Sequence, residues 1–443
     1  MIAGHEKQPR KYIIRGGFKL ESSTIALLII GALLVMYITE ALPIAATSLI
    51  ACVAFAIFGV IPLSSAFAGF SNDIVFLMAG MVVVGNTLFE TGVAKVIGGF
   101  IISSVGSNER VFLAVLLLVS VPISAFLSNT ATAAIMLPLA ASAISMSEGK
   151  FTKKNTFMMI GIASVAGGGL TLVSSPPQLI AQGILMDGGH ETLGFFDITL
   201  IGVPILILLF IYALTIGYSL QKKVFDFPEV EDEAAAVADD DAPEKPSVVK
   251  MCIAVAVLLF CITGFITGLW TVGIVAMVGA LICIATGCIS QKRVFQKMDW
   301  TTIIIFGCSF GFAAGLSQSG AGQLIAQGAI TIMGESVSPW LLCIVLAIVA
   351  VILGNFMSAT ATAALLIPIA ALTAIELNYD VRSIVLAVAI VSNISYATPI
   401  STPPLTMTLI GGYRFKDYLK IGGLFNVMAF ILAIILFPLI LNF

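Results

Sequence analysis

A stretch of small and hydroxyl-bearing residues, SNTATAAIMLPLAA, runs from Ser128 to Ala141 and returns as SATATAALLIPIAA from Ser358 to Ala371. Nine of the fourteen aligned positions are identical. Each copy lies inside a long apolar segment, where hydroxyls and freed backbone groups are costly unless they have partners or line an aqueous cavity. The duplication therefore predicts two related structures that face each other and hold a ligand.

The composition around these two stretches is that of a membrane protein. The 443 residues are 59% hydrophobic and only 10% charged, whereas soluble domains carry about 25% charged residues. Apolar runs recur along the chain without the alternation that the strands of a membrane barrel show. The sequence therefore predicts an all-α, multi-pass integral protein of the plasma (inner) membrane, with the lipid bilayer as its surroundings.

Several other classes of function lack their usual residues. The basic residues are scattered, which argues against a nucleic-acid partner, and there are only two histidines. The seven cysteines lie in apolar runs without a CxxC pair, so they are predicted to be core residues, and no organic cofactor is expected. No His, Asp or Glu lies near Ser128 or Ser358 in sequence, so we expect a protein that is not an enzyme. A membrane-embedded hydrolase and an ion channel remain as minor alternatives.

The segments around the two copies repeat in the same order, with an offset of 227 to 230 residues between matching motifs. Such an offset indicates an internal duplication. Five crossings and one re-entrant hairpin per half would invert the second half relative to the first, as in many secondary transporters. Two full spans in place of each hairpin are the alternative. The predicted organisation is a basic tail (1–23), a first repeat (24–222) with a hairpin (111–146) and a broken helix (155–186), an acidic linker (223–250), and a second repeat (251–443) with a hairpin (339–375) and a broken helix (382–411).

Charge and glycine spacing add two expectations. If the linker is cytoplasmic, the basic loop residues fall inside except Arg382, as the positive-inside rule requires. The basic tail then lies outside, which conflicts with that rule. A helix with Gly307, Gly311 and Gly315 at four-residue spacing, followed by Gly322, predicts close helix packing.

The two broken helices and the two hairpin tips supply neutral binding groups. Helix breaks expose N–H groups that attract anions and C=O groups that suit a hard cation. Prolines 176, 177, 403 and 404 are predicted to fix the breaks. Because neither tip nor break contains Lys or Arg, an anion would be held by neutral donors, helix dipoles and a co-bound cation.

Paired Ser-Asn-Thr-type tips, each followed by a helix broken at Ser/Thr-Pro-Pro, resemble the divalent anion/sodium symporter (DASS) family of di- and tricarboxylate transporters. The resemblance covers the chain from about residue 24 onward. It implies a homodimer of scaffold and transport domains that works as an elevator. The substrate-binding residues predicted from the motifs and this resemblance are Ser128, Asn129, Thr130, Ser358, Thr360, Pro176, Thr402 and Pro403. Those of the first sodium site are Ser124, Ser128, Asn129 and Ser174.

The second half departs from the family pattern. Ala359 stands where the family usually has asparagine, and Gly354 stands where a hydroxyl is expected. Both changes remove side-chain oxygens, so a second sodium site and the recognition of a second carboxylate stay open. We expect Asn129→Ala nearly to abolish transport and Ala359→Asn to be tolerated.

The sequence as a whole predicts a secondary active transporter of small organic anions. Its expected substrates are di- or tricarboxylates of the succinate, malate or 2-oxoglutarate type, and Na⁺ is the expected coupling ion. Sodium-independent dicarboxylate exchange, or transport of another anion such as sulfate, are the alternatives.

Overall fold

A computed structural model describes residues 21–39, 41–93, 96, 108–145, 147, 149–226, 247–268, 270–333 and 338–441. Nearly all of the predicted tail and most of the acidic linker lie outside these residues, as does the segment that follows the interruption near Gly92. Within the described ranges the regular structure is entirely helical, as the composition predicts.

The first half has helices on both sides of the predicted tip and of the predicted break. The helix of residues Asp73–Glu90 ends at the expected interruption, where Gly92 takes a φ of 87°. The helices are α1 (Ser22–Thr39), α2 (Ile44–Ile57), α3 (Leu63–Ala66), a 3-10 turn (Ala68–Ser71), α4 (Asp73–Glu90), α5 (Glu109–Phe126), α6 (Asn129–Ser145), α7 (Phe157–Gly167), α8 (Pro176–Asp187), α9 (Thr199–Leu214) and α10 (Ile216–Val224).

The second half repeats this order. Its interruption falls at Gly320, with a φ of 79°. The helices are α11 (Val248–Thr267), α12 (Val272–Ala285), α13 (Gln291–Lys297), α14 (Trp300–Ser319), α15 (Ala321–Met333), α16 (Pro339–Phe356), α17 (Ala359–Glu376), α18 (Val381–Ser392), α19 (Pro403–Met407), a 3-10 turn (Thr408–Gly411) and α20 (Phe415–Ile440).

One predicted span is not a single straight helix. Residues 197–221 were expected to form one crossing, but α9 and α10 meet at Thr215 with a bend of 47°. The Thr215 hydroxyl donates to the Ile211 carbonyl, and its backbone N–H is shared between Ile211 and Tyr212. Such back-bonding by threonine is a known cause of helix bending.

Seven helices of the described residues are long and apolar enough to cross a membrane, and the bent pair raises the number to eight. Among the seven are both arms of the second hairpin, α16 and α17, and the first arm of the first hairpin, α5. Length alone therefore does not separate a re-entrant hairpin from two spans, and the re-entrant arrangement stays a prediction.

The glycines of α14 pack as their spacing predicts. A Cβ on Gly311 would lie against the Ala66 carbonyl and 2.8 Å from the Cys52 sulfur, and one on Gly315 would lie 2.7 Å from the Phe55 ring. Helix α14 therefore packs directly on α2 and α3, because only glycine leaves room for them. Helix α4 packs along α12 and also contacts α14. We refer to α4 and α14 together as the α4 and α14 layer.

The hairpins and broken helices form a second group, in which a hairpin helix of each half packs on a broken helix of the other half. The second hairpin helix α17 packs on α8 of the first half, and the first hairpin helix α6 packs on α19 of the second half. Every residue of α7 and of α18 except Arg382 is buried. Reciprocal contacts of this kind are what a two-fold relation between the halves would produce, and the inverted orientation itself stays a prediction.

Candidate functional site

The first hairpin tip is a short turn between α5 and α6, capped by Ser128. The Ser128 hydroxyl oxygen accepts from the Ala131 N–H at 3.2 Å, a standard way to satisfy the first turn of a helix. The break between α7 and α8 lies directly beneath it, because the Thr171 hydroxyl donates to the Ala125 carbonyl. The sequence-predicted tip and break are therefore joined in the first half.

Gly168 lets the break approach the tip residue Asn129. A Cβ on Gly168 would overlap the Asn129 carboxamide, lying 2.7 Å from its nitrogen and 2.8 Å from its Cγ. The carbonyl of Gly168 in turn accepts from the hydroxyl of Ser174 at 2.6 Å and from the amide of Gln178 at 3.2 Å. Two of the predicted sodium-site residues, Asn129 and Ser174, thus meet at one glycine.

Two hydroxyls of the first centre, those of Ser124 and Ser174, give their protons to the protein. Ser124 donates to the Ser164 carbonyl and lies 3.0 Å from the Asn129 side-chain oxygen, and Ser174 donates to carbonyls within its own break. A hydroxyl has one proton, so these oxygens keep only lone pairs for a ligand. Among the described residues there is no group of three or more His, Cys, Asp or Glu that could hold a metal ion.

The second tip has the same construction. The Ser358 hydroxyl accepts from the Ala361 N–H at 3.1 Å, and the Thr398 hydroxyl donates to the Asn355 carbonyl at 2.6 Å. The N–H of Ala359 also donates to the Ser401 carbonyl at 3.1 Å. This backbone bond ties the second tip directly to the second break and engages a carbonyl there.

The first centre (the first tip and the first break) and the second centre (the second tip and the second break) differ in whether the larger side chain lies in the tip or in the break. Ser401 donates to the carbonyls six and three residues before it, as Ser174 does, so Ser395 corresponds to Gly168. The first centre therefore pairs a large residue, Asn129, with glycine, and the second pairs Ala359 with a serine. The larger residue of each aligned pair thus lies in the tip in the first half and in the break in the second, and the polar groups on each side differ accordingly.

Gly354 leaves a small space in the second centre. A Cβ there would lie 3.5 Å from the Ser392 carbonyl, 3.6 Å from the Ser395 Cβ and 3.9 Å from the Thr362 hydroxyl, which are ordinary contacts. The corresponding position of the first half carries the side chain of Ser124. The predicted loss of a side-chain oxygen in the second half is thus a real opening in the structure.

Three buried hydroxyls of the second centre have no hydrogen-bond partner among the described residues: Thr362, Ser395 and Thr402. An unpaired buried hydroxyl costs about 1–3 kcal/mol, so such groups call for a ligand or water. Their protons are uncommitted, in contrast to those of Ser124 and Ser174 in the first centre. The second centre is therefore able to donate hydrogen bonds, and the first mainly to accept them.

A cleft of about 60 Å³ lies between the first centre and helices α4 and α14. The predicted residues Ser128, Ser174 and Pro176 lie on its wall, whereas Ser358, Thr360, Thr402 and Pro403 do not. That the two tips share one ligand therefore stays a prediction. The cleft is lined by Met78, Met81, Val82, Phe126, Ser128, Val173, Ser174, Ser175, Pro176, Leu179, Asp299, Thr302 and Ile303.

Sequence reasoning missed the side chains that hold the breaks in place. Asn355 accepts from the Ala397 N–H at 2.9 Å through its side chain, and Asn426 accepts from the Tyr396 N–H at 2.7 Å. Thr171 and Thr398 could have been found, because they are offset by 227 residues like the serines of the breaks. Asn393, which accepts from Ser175 at 2.5 Å, has no counterpart in the first half and gave no such signal.

Membrane-length helices around two capped hairpins and two proline-broken helices, with polar groups buried at their meeting points, are the architecture of a multi-pass membrane transporter. The comparisons with known proteins agree. The family profile described as citrate transporter (CitMHS) matches residues 34–384. The chain therefore belongs to this family, within the DASS superfamily that its motifs resemble.

Relatives and solved structures are transporters as well. An uncharacterized transporter of Haemophilus influenzae is 28% identical over 411 residues, covering 89% of this chain and 87% of the relative. The sodium-dependent dicarboxylate transporter SdcS of Staphylococcus saprophyticus is 26% identical over 430 residues, covering 90% and 82%. In fold, the chain resembles the Alcanivorax borkumensis YdaH transporter, with a TM-score of 0.62, 14% identity and coverage of 95% and 98%.

Proposed function

We propose that this protein is a Na⁺-coupled carrier of small di- or tricarboxylates. The observation that carries the proposal is the contrast between Ser124 and Ser174 of the first centre, whose protons go to carbonyls, and the unpartnered hydroxyls Thr362, Ser395 and Thr402 of the second. The first centre presents oxygen lone pairs, which suit a hard cation. The second presents free donors, which suit a carboxylate.

In the first centre, Ser124 and Asn129 would supply side-chain oxygens to the cation, with Ser128 and Ser174 next to them. Ser124 and Ser174 already give their protons to carbonyls, so binding a cation requires no rearrangement of those protons. The Gly168 contact holds Asn129 in place. Preorganised ligands of this kind lower the ordering cost of binding.

In the substrate site, Ser128 and Thr130 of the first tip would donate to one carboxylate, and Ser358, Thr360 and Thr402 to another. Helices α8 and α19 start with paired prolines, which lack N–H groups. Their N-terminal ends would therefore attract an anion mainly through the helix dipole. The bound cation would add the full positive charge that the site otherwise lacks.

The transport step we propose is an elevator movement. The hairpins and broken helices would move as one body against the α4 and α14 layer, within a homodimer in the plasma membrane. The cleft between this body and that layer is consistent with such a division. The basis for Na⁺ and dicarboxylate is the intact first centre together with relatives named as sodium-dependent dicarboxylate transporters.

A second candidate is exchange without sodium, or transport of another anion such as sulfate. The Ala359 backbone bond to Ser401 and the space at Gly354 favour it, because both take oxygen ligands from the second centre.

The experiment is uptake of labelled succinate, malate or 2-oxoglutarate into proteoliposomes, with and without an inward sodium gradient. Uptake that follows the gradient supports the proposal. Uptake driven only by preloaded counter-substrate would refute symport in favour of exchange, and competition by sulfate but not by succinate would refute the carboxylate substrate.

A further inference from the structure

The side chain of Asn393 fixes the direction of one hydrogen bond at the wall of the cleft. Its amide nitrogen donates to the Ala389 carbonyl at 3.2 Å, and a carbonyl can only accept. The amide oxygen must therefore face Ser175, which lies 2.5 Å away. Ser175 is the donor in this bond and has no proton left.

Ser175 consequently meets the cleft only as an acceptor. It is one of the cleft-lining residues and is itself 1% exposed, while Asn393 is 6% exposed. Ser175 precedes α8 but makes no capping bond with that helix, so its lone pairs remain available. A bare carboxylate has no proton to offer such an oxygen, whereas an alcohol does.

The second half lacks this arrangement. Thr402 occupies the position of Ser175, and the counterpart of Asn393 at the same offset is Ala166, which has no acceptor. Accordingly Thr402 has no hydrogen-bond partner among the described residues and keeps its proton. The acceptor property is thus specific to the first half and follows from one asparagine.

We infer that Ser175, held as an acceptor by Asn393, selects carboxylates that carry a hydroxyl group over those that lack one. The inference rests on the proposed carboxylate transport and names the substrate class within it. Because Ser128, Ser175 and Pro176 line the same cleft, a carboxylate bound at the first tip would bring a hydroxyl on its neighbouring carbon toward Ser175. Without that hydroxyl, the buried acceptor is desolvated and unpaired, which lowers affinity.

The test uses two pairs of competitors that differ only by a hydroxyl: malate against succinate, and citrate against tricarballylate. Inhibition constants are measured against labelled malate uptake in proteoliposomes. We expect the hydroxyl-bearing member to bind about tenfold more tightly in each pair. Ser175→Ala should bring the ratio of the two inhibition constants in each pair near one, mainly by weakening the binding of malate and citrate. Ser175→Thr, the residue at this position in the second half, keeps an acceptor and should retain the preference.

Asn393→Leu tests the positioning role. It removes the acceptor at similar volume, beside a cavity of about 20 Å³ lined by Gln178 and Asn393, and frees the Ser175 proton. The ratio of inhibition constants in each pair should fall toward one. In the Ser175→Ala background, Asn393→Leu should change these ratios no further. A merely structural asparagine would instead alter protein yield and leave the ratios unchanged in the folded fraction.

The outcomes separate the two proposals. If neither pair competes, carboxylate transport fails and the hydroxyl preference with it. If both members of each pair bind equally to the wild type, only the inference is overturned. It is likewise overturned if Ser175→Ala leaves the ratios intact but raises the sodium concentration for half-maximal uptake, because Ser175 would then serve the cation.

Discussion

Replacing Gly168 with alanine tests whether the contact between tip and break builds the cation site. The new Cβ would overlap the oxygen, nitrogen and Cγ of the Asn129 carboxamide, where ordinary contacts begin near 3.4 Å, so the carboxamide must retreat by about 1 Å or rotate away. Either movement disturbs the 3.0 Å contact between Asn129 and Ser124. Overpacking and the loss of one polar contact together cost about 1–3 kcal/mol. At about 1.4 kcal/mol per factor of ten, this predicts that the sodium concentration for half-maximal uptake rises about 5- to 150-fold.

The assay is the sodium dependence of succinate or malate uptake in proteoliposomes, together with the sodium-induced shift in Tm of the purified protein. Gly354→Ala is the matched control, because its Cβ meets nothing closer than 3.5 Å, and it should keep the wild-type sodium response. A Gly168→Ala variant with the sodium dependence and Tm shift of the wild type would show that Asn129 is not part of the cation site.

Three further predictions concern the second centre and the scaffold. Ala359→Asn alone should reduce uptake severalfold, because Ser395 stands where the first half has Gly168. Adding Ser395→Gly should restore uptake. Equal activity of the single and double variants would contradict this. Gly311→Ala should lower stability by about 1–3 kcal/mol, because its Cβ would collide with the Ala66 carbonyl, whereas Gly31→Ala, with nothing within 4 Å, should be neutral or slightly stabilising in Tm measurements. Asn355→Ala should cost about 2–4 kcal/mol by freeing the Ala397 N–H and other buried groups, and an unchanged Tm would refute that network.

The predicted tolerance of Ala359→Asn illustrates where sequence reasoning stopped. The mismatch between Asn129 and Ala359 is visible in the aligned stretches, and it predicted asymmetric halves. The compensating pair, Gly168 and Ser395, lies in the breaks, some 40 residues from the tips. The fold reveals the contact between Gly168 and Asn129, and this contact is what makes the aligned difference at Ser395 relevant to Ala359.

The bend at Thr215 has a similar explanation. The apolar run of residues 197–221 predicts a helix, because hydropathy depends only on composition. Whether the helix is straight depends on which carbonyl the Thr215 hydroxyl bonds and on the space at Gly217, where an added Cβ would lie 2.8 Å from the Tyr212 carbonyl oxygen. These are local geometric choices that hydropathy does not encode.

The sequence alone predicted the membrane class, the repeated motifs, the turns at the two tips and the two proline breaks. Each of these follows from near-neighbour chemistry: apolar runs that must leave water, prolines that cannot donate, and small hydroxyl residues that can turn a helix. The tertiary structure alone decided which protons are committed. Ser175 and Asn393 are 218 residues apart, and the direction of their bond depends on a third group, the Ala389 carbonyl. Hydrogen-bond direction is a property of what folding brings together, so it cannot be inferred from the spacing of residues along the chain.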